Sequence, residues 1–594
     1  MTRHSHRVRS AGVELAVTDS GIPAGHPDAP TLILVHGYPD NSETWLPVVG
    51  RLESRYRVVT YDVRGAGAST APKGRSGYTL DLLVEDLAAV MDTVSPHRPV
   101  HLVGHDWGSI QLWEAVTAEH LTHRIASFTS ISGPCLDHVA FWVRRRLRPR
   151  LRGLRQLFVQ SLRSWYVAAF HLPGAVLFWQ IGGAGLVTRA LRMADEWPDA
   201  TAVSPTLASD GAHGINLYRA NVLVRGARPR ERRTDLPVQL IVPVGDRFVT
   251  PALLDDTGLW CTNLWRRDVP GWHWLIRHEP DRVARWISEL IDHVEPPDPD
   301  PGSDQTATRS PLDRLRVGRE LPDRGKVVVV TGAGSGIGRQ TSLAFAERGA
   351  EIVAADIDAD AAARTATLCR DLGAPATHHQ VDVGDAEAME ALAKAVERDH
   401  GGADIVVNNA GIGMAGPLLD TSTEDWERVL RVNLWGVIHG SRLFGQQMSA
   451  RGEGGHIVNV ASMAAFTPSR SYPAYATSKA AVLMLSECLR AELADASIGV
   501  TAICPGVVNT GIVSATRFVG VGDAEQQRRR TVTNRLYARR GFTPEKVADA
   551  IVRSVDRNRP VVPVALEAQV MRLVSRLAPR TTRRLARIDP TTRL

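Results

Sequence analysis

Residues 104–108 read GHDWG and follow the apolar run PVHLV. Glycines flanking a strand-to-helix corner allow a sharp turn that holds its central side chain out of the sheet, the arrangement that exposes a nucleophile. The central residue here is Asp106. A serine in its place would take an acyl group. A carboxylate instead attacks an electrophilic carbon and forms an ester that water must later cleave. Strained or activated C–O and C–halogen bonds suit that chemistry. It needs a second acid and a histidine to activate the water, and the chain supplies both downstream: Asp246 ends VQLIVPVGD, and His273 lies in VPGWHWLIRHEP. His278, five residues further, stands next to HEP, where a helix is expected to begin, and is less suited to be the base.

A second set of candidates lies in the other half of the chain. TGAGSGIG at 331–338 follows the strand-like KVVVV and precedes a helix-like segment beginning RQTSLAF. Its glycines permit a tight turn and close approach to a pyrophosphate, which then sits at the helix N-terminus. Gly332, Ser335, Gly336, Ile337 and Gly338 are therefore candidate dinucleotide contacts. Asp356 ends the next strand-like run, EIVAAD. A carboxylate there accepts hydrogen bonds from ribose hydroxyls and repels a 2′-phosphate, which favours NAD over NADP as cofactor. Tyr475 and Lys479 of YATSK lie one helical turn apart on one face. The lysine ammonium lowers the phenol's pKa, so Tyr475 can take a proton from an alcohol or return one to a carbonyl.

The elements that must position these residues are legible as short apolar runs. TLILVH (31–36), YRVVTYD (56–62), VHLVGHD (100–106) and VQLIVPVGD (238–246) read as strands separated by helical segments. KVVVVTGAGSGIG, EIVAADID, ADIVVNNAG, GGHIVNVAS and GVTAICPG repeat the pattern. Both halves are thus predicted to be α/β with largely parallel sheets. From Glu295 the sequence EPPDPDPGSDQTATRSP is polar and proline-rich, too poor in apolar residues to pack a core. The reading is a domain over 1–295 with a lid over about 134–230, a linker over 296–321, and a second domain over 322–594 ending in a basic tail.

At this point the first half resembles the α/β-hydrolase-fold epoxide hydrolases, through HGYPD (36–40), GHDWG, VGDRFV and GWHW. The resemblance implies that the backbone amides of Tyr38 and Trp107 form an oxyanion hole. It also implies that two lid tyrosines, Tyr166 in SWYVAAFHLPG and Tyr218 in INLYRAN, protonate the departing epoxide oxygen. Haloalkane dehalogenases are the rival reading; they share the Asp-Trp corner but lack the tyrosine pair. The second half resembles the short-chain dehydrogenase/reductase family, from the spacing T-G-x-x-x-G-x-G onward. Asp382 and Val383, NNAG (408–411) with Asn409, Asn433, Ser462, YATSK, and Pro505 and Gly506 complete that pattern. By this resemblance the cofactor is nicotinamide, Ser462 holds the substrate oxygen, and Asn433 supports a water-linked proton path through Lys479. Ser335 also stands where NADP-preferring relatives often place Arg or Lys.

The whole chain therefore reads as a fusion of an epoxide hydrolase with a short-chain dehydrogenase. Lipid epoxides are the expected substrates, and the diol left by hydrolysis offers an alcohol that the second half could oxidise. A scaffold with one inactive domain is the rival from another class, and the intact residue sets in both halves argue against it. No metal centre is expected. The 594 residues suit two domains, and 44% hydrophobic with 23% charged residues describes a globular chain. Five scattered cysteines without a C-x-x-C pair point to a reducing compartment. With no secretory leader and no apolar run of the ~20 residues a span requires, the expected location is cytoplasmic. The net charge of +6 has a local source: no Asp or Glu occurs between Asp137 and Asp195, while Arg144, Arg145, Arg146, Arg148, Arg150, Arg152, Arg155 and Arg163 lie among large apolar residues. That composition suits peripheral docking on an anionic membrane at the inner face of the cell, each basic residue contributing ~1 kcal/mol. Phe141, Trp142 and Leu147 are the candidates for apolar insertion. Pro149 and Gly153 are expected to break the lid segment into two short helices. A solvated basic face is the alternative. No nucleic-acid motif is present, and the dehydrogenase half could form a homo-oligomer.

Overall fold

The computed structural model describes residues 3–147, 151–193, 204–296, 312, 315–318, 321–509, 511–512 and 516–587, which fall into two compact units. The first is built on an eight-stranded sheet: β1 (His4–Ser10), β2 (Val13–Asp19), β3 (Thr31–Val35), β4 (Arg57–Tyr61), β5 (Val100–His105), β6 (Ile125–Ile131), β7 (Val238–Pro243) and β8 (Leu264–Val269). Their spatial order is β1-β2-β4-β3-β5-β6-β7-β8. The β1–β2 and β2–β4 pairings are antiparallel and the rest parallel. Helices cover both faces, so a central strand is buried on both sides and reads as a continuous apolar run. In β3, Ile33 and Val35 join one core while Leu32 and Leu34 join the other, with Trp45 and Trp286.

Between β6 and β7 the chain leaves the sheet and forms a helical lid. Helices Leu136–Arg146, Leu151–Arg163, Trp165–Phe170 and Ala184–Met193 lead to the long helix Leu207–Ala227. Gly153 lies inside the helix Leu151–Arg163 and does not interrupt it, because one glycine costs only about 1 kcal/mol in a helix held by packing. Pro149, with Arg148 and Arg150, lies outside the described residues.

The second unit has a seven-stranded, wholly parallel sheet: β9 (Val327–Thr331), β10 (Glu351–Asp356), β11 (Ala376–Gln380), β12 (Ile405–Asn408), β14 (Gly455–Val460), β15 (Ile498–Pro505) and β17 (Val561–Val564), ordered β11-β10-β9-β12-β14-β15-β17. The short strands β13 (Met414–Ala415) and β16 (Arg517–Phe518) pair apart from it. Again one strand feeds two cores: Val328 and Val330 of β9 face one, Val327 and Val329 the other. The order reverses direction between β9 and β12, which opens the crevice at the carboxyl ends of the strands where such sheets bind ligands.

Part of the segment read as linker has a defined place. Leu312 is fully buried with Trp265 and Leu290, and the Val317 amide donates to the Leu264 carbonyl at 2.7 Å.

Candidate active sites

Asp106 follows β5 directly, at φ 51° and ψ −120°, a backbone conformation costly for a residue with a Cβ. The chain passes within that residue from strand to the helix Trp107–Ala115. The close approach depends on glycine: a Cβ on Gly108 would lie 2.1 Å from the Val35 carbonyl oxygen. One on Gly104 would lie 2.6 Å from the Ser109 Cα. The carboxylate stands at the helix N-terminus, where the peptide dipoles favour negative charge. The backbone amide of Tyr38 donates to its Oδ1 at 2.7 Å, and Trp107 is the next residue along.

The other two candidates of the set converge on it from the loops after β7 and β8. His273 Nδ1 lies 2.9 Å from Asp246 Oδ2, and His273 Nε2 lies 3.5 Å from Asp106 Oδ2. Asp246 is buried and also accepts the backbone amides of Phe248 and Val249 at 2.8 and 2.9 Å. Burial alone would raise its pKa, but the His273 charge and these hydrogen bonds hold it below the ordinary value. Burial pushes the His273 pKa down, yet the two carboxylates outweigh it and raise it well above the usual 6.5. His278 closes the short helix Leu275–His278.

Above the aspartate the lid contributes an aromatic box. Tyr166 comes from the helix Trp165–Phe170 and Tyr218 from Leu207–Ala227, with ring centroids 5.9 Å apart. Tyr218 packs 4.8 Å from Trp107 and 5.3 Å from Tyr38, and Phe248 lies 4.9 Å from His273. Burial, then the Asp106 charge, pushes the Tyr166 pKa above its ordinary value; burial, Tyr166 and Asp106 do the same to Tyr218. Both phenols therefore stay protonated while Asp106 is charged.

One group absent from the sequence reading ties this site together. Asp40, buried, accepts from Trp274 Nε1 and from Arg277 Nη2, each at 2.7 Å. It thereby fixes the Tyr38 turn to the loop that carries His273. Its signal was the last letter of HGYPD.

In the second unit, β9 runs into the glycine turn and the helix Gly336–Glu347. Gly332 and Gly336 have φ of 64° and 52°, and a Cβ on Gly338 would lie 2.1 Å from the Gly332 carbonyl oxygen. Ser335 is exposed and its side chain makes no cap hydrogen bond, which leaves the first amides of the helix to a ligand's phosphates. Ile337 packs against the core. Asn409 Nδ2 donates to the carbonyls of Thr331 and Gly332 at 3.0 and 3.1 Å, so it holds the turn. Asp356, at the end of β10, accepts the Gly334 amide at 2.7 Å. Asp382 lies 3.3 Å from Arg431, Val383 is buried, and Pro505 and Gly506 close β15, where the Gly506 amide donates to the Val564 carbonyl at 2.9 Å. This cradle fits a dinucleotide: glycines where side chains would collide, uncapped amides for a pyrophosphate, and a carboxylate at the second strand's end.

Beside it, Tyr475 and Lys479 occupy the helix Pro473–Glu492, with Lys479 Nζ 6.0 Å from the Tyr475 ring centroid. Lys479 is buried, donates to the Val460 carbonyl at 2.8 Å, and has its pKa pushed down to about 8 by burial. Asn433 sits in a widened helical turn, Arg431–Trp435, a distortion common at functional sites. Its Oδ1 accepts the Ile412 amide at 2.8 Å, and its Nδ2 donates to the Ile412 carbonyl at 3.0 Å and to Ser478 Oγ at 3.2 Å. Both amide hydrogens are used in this brace, and Oδ1 retains one lone pair. Ser462 Oγ accepts the Ala464 amide at 3.2 Å, which leaves its own hydrogen to donate. Gly411, of the NNAG run, faces Asn433 and Lys479: a Cβ there would stand 3.2 and 3.4 Å from their polar atoms.

Family models match these two units, an alpha/beta hydrolase fold over residues 30–280 and a short chain dehydrogenase over residues 326–518. The chain belongs to the family of two-domain proteins that join an alpha/beta hydrolase fold to a short-chain dehydrogenase/reductase. The "Probable oxidoreductase EphD" of Mycobacterium tuberculosis strain H37Rv is 44% identical to it over 591 residues, 97% of each chain. The second half is 40% identical over 190 residues to the 1-deoxy-11-beta-hydroxypentalenate dehydrogenase of Streptomyces exfoliatus, a match covering 32% of this chain and 69% of that enzyme. A crystal structure of a short chain dehydrogenase/reductase from Burkholderia phymatum in complex with NAD is 31% identical, with a TM-score of 0.41, over 45% of this chain and 98% of its own.

Proposed function

We propose that the first unit hydrolyses an epoxide, borne on a lipid, to a vicinal diol through an ester on Asp106. The observation that carries this reading is the tyrosine pair placed with Asp106, Asp246 and His273 in one aromatic box, since two phenols serve an oxygen leaving group and not a halide. Asp106 attacks a ring carbon, the C–O bond breaks, and Tyr166 and Tyr218 give the oxygen its proton. Esterification removes the Asp106 charge, one of the interactions that hold His273 protonated. The His273 pKa then falls, its proton restores the phenol left ionised by ring opening, and the neutral imidazole can take a proton from water. The resulting hydroxide adds to the ester carbonyl, whose oxyanion meets the amides of Tyr38 and Trp107. Collapse releases the diol, which takes the proton from His273; the water oxygen stays on Asp106, whose acid proton passes to His273 and restores the starting pair.

The second unit is read as an NAD-dependent oxidoreductase acting on an alcohol or ketone, with the diol as one chemically reasonable alcohol. A bound nicotinamide accepts or supplies the hydride. Tyr475 takes the alcohol proton, Ser462 donates to the substrate oxygen, and the buried Lys479 keeps positive charge beside the phenol. Asn433 positions the Ile412 and Ser478 segments around that lysine. Asp356 supports NAD over NADP, because a carboxylate at the ribose repels a 2′-phosphate. The dehydrogenase named for 1-deoxy-11-beta-hydroxypentalenate supports a hydroxyl substrate at this site.

The ester is tested by a single turnover in ¹⁸O-water. The first diol should be unlabelled, since its new oxygen comes from Asp106, and later turnovers should carry the label. Full labelling in the first turnover overturns the ester route. His273→Gln should accumulate a protein adduct heavier by the mass of the epoxide.

A further inference from the structure

The lid presents apolar side chains on its outside as well as its inside. On the helix Leu151–Arg163, Leu157 packs inward, and Gln160 Nε2 donates to the Phe248 carbonyl at 2.8 Å beside the Asp246 loop. Arg163, on the same helix, donates to the Asp246 carbonyl. The opposite face carries Leu154, Phe158 and Leu162 at helical spacing, and Phe158 is 63% exposed. The next helix repeats the division: Tyr166 and Phe170 face the aromatic box, while Trp165 is 69% exposed. Further along the lid, Leu177 and Ile181 are also exposed, the latter at 74%. Large apolar residues are thus exposed on several successive lid segments, a feature that marks membrane or partner surfaces.

The basic residues have been sorted by the fold. Arg145 and Arg146 pair with Asp256 at 3.2 and 2.8 Å, and Arg144 donates to the Ala227 carbonyl at 3.1 Å. Trp142 is fully buried, its Nε1 donating to the Ala252 carbonyl at 2.6 Å, and Phe141 is partly buried. The expectation that this segment meets a membrane is therefore corrected for Trp142 and Arg146, which are held at the base of the lid, whereas Arg144, Arg145 and Leu147 remain exposed, Leu147 at 62%. Arg155 is exposed on the helix that carries Leu154, Phe158 and Leu162, and Arg189 is exposed on Ala184–Met193, where Leu186 is 64% exposed. With no acid in the sequence between Asp137 and Asp195, an outer face with these properties complements one surface, an anionic lipid bilayer.

We infer that the outer face of the lid, led by Phe158, Trp165 and Ile181, inserts into an anionic lipid surface, with Arg155 and Arg189 on its headgroups. Tryptophan and arginine at the edge of an apolar face suit the headgroup boundary. The docking rests on this face alone; its use, delivery of a lipid epoxide to Tyr166 one residue away from Trp165, rests on the epoxide reading.

The test uses the full-length protein and vesicles of phosphatidylcholine, with or without one third phosphatidylglycerol, read by co-sedimentation. The wild type should pellet with the anionic vesicles, at least tenfold more weakly with neutral ones, and less as salt rises. Phe158→Ser/Trp165→Ser should lower anionic binding at least tenfold, and Arg155→Glu/Arg189→Glu should erase the preference for anionic lipid. Both variants should keep turnover of a small soluble epoxide, and an unchanged far-ultraviolet spectrum shows that they fold. Wild type that stays in the supernatant with both vesicles, or a Phe158/Trp165 variant that pellets like wild type, overturns the proposal. Concentration-dependent dimerisation lost in that variant, without vesicle binding, overturns it in favour of a second copy of the chain. Vesicle binding by a protein inactive on every epoxide supports the docking and removes the epoxide reading alone.

Discussion

A buried lysine in the dehydrogenase site makes a pH argument at the level of one residue. Lys479 has its pKa lowered from 10.5 to about 8 by burial. Below about 8 both folded and unfolded chains hold the proton, and the fold bears the full cost of an ammonium out of water, about 3 kcal/mol. Between about 8 and 10.5 the folded chain releases the proton while the unfolded chain keeps it, so the cost shrinks as pH rises. Lys479→Met removes the cost and also the hydrogen bond to Val460. Its stability relative to the wild type should therefore be greatest near pH 7 and decline through pH 8 to 10, followed by the thermal transition of the second unit. A difference that is flat with pH would mean that the lysine is not held as a buried cation. The native enzyme bears this cost beside Tyr475, where a nearby positive charge favours the phenolate.

At the scale of the element, the strand-to-helix corner at Asp106 is held by the spacing of backbones. Gly108→Ala would drive a Cβ to within 2.1 Å of the Val35 carbonyl oxygen, and neither β3 nor the helix Trp107–Ala115 can yield without displacing the sheet. Overpacking of this kind costs about 1–3 kcal/mol. The variant should lose most of the proposed epoxide turnover and lower the first unit's melting temperature by several degrees, with dehydrogenase activity unchanged in the same sample. Full hydrolase activity would show that the corner tolerates a wider gap. The strands around it differ in how visible they were. β3, β5 and β7 are apolar on both faces and were read from their runs. β1, HSHRVRS, and β11, ATHHQ, are edge strands with polar residues in alternation, and no local pattern distinguishes them from loop. The sheet recruits them by hydrogen bonding.

For the molecule as a whole, the two candidate sets lie in two separate compact units, which predicts separable activities. Tyr475→Phe should abolish hydride transfer and leave epoxide turnover within about twofold; Asp106→Asn should do the reverse, since a neutral amide cannot form the ester. Loss of both activities in either variant, with folding intact, would mean that the two sites work as one. The fold class, the two-part organisation and the candidate residues were legible because chemistry that needs a turn or a helical register leaves letters at fixed spacing. GHDWG, TGAGSGIG and YATSK are local in the chain, and their glycines and reactive side chains are required by backbone geometry. Asp40 and the division of the lid's arginines were not legible. Asp40 acts through Trp274 and Arg277, more than 230 positions away, and only the packed loops reveal that pairing. A run of arginines among leucines and tryptophans reads the same whether it meets lipid or its own protein. Burial decided it: Trp142 and Arg146 went to the base of the lid, and Phe158 and Trp165 to the outside. Which face of an amphipathic helix is covered depends on what the rest of the chain leaves beside it, and that is a property of tertiary structure.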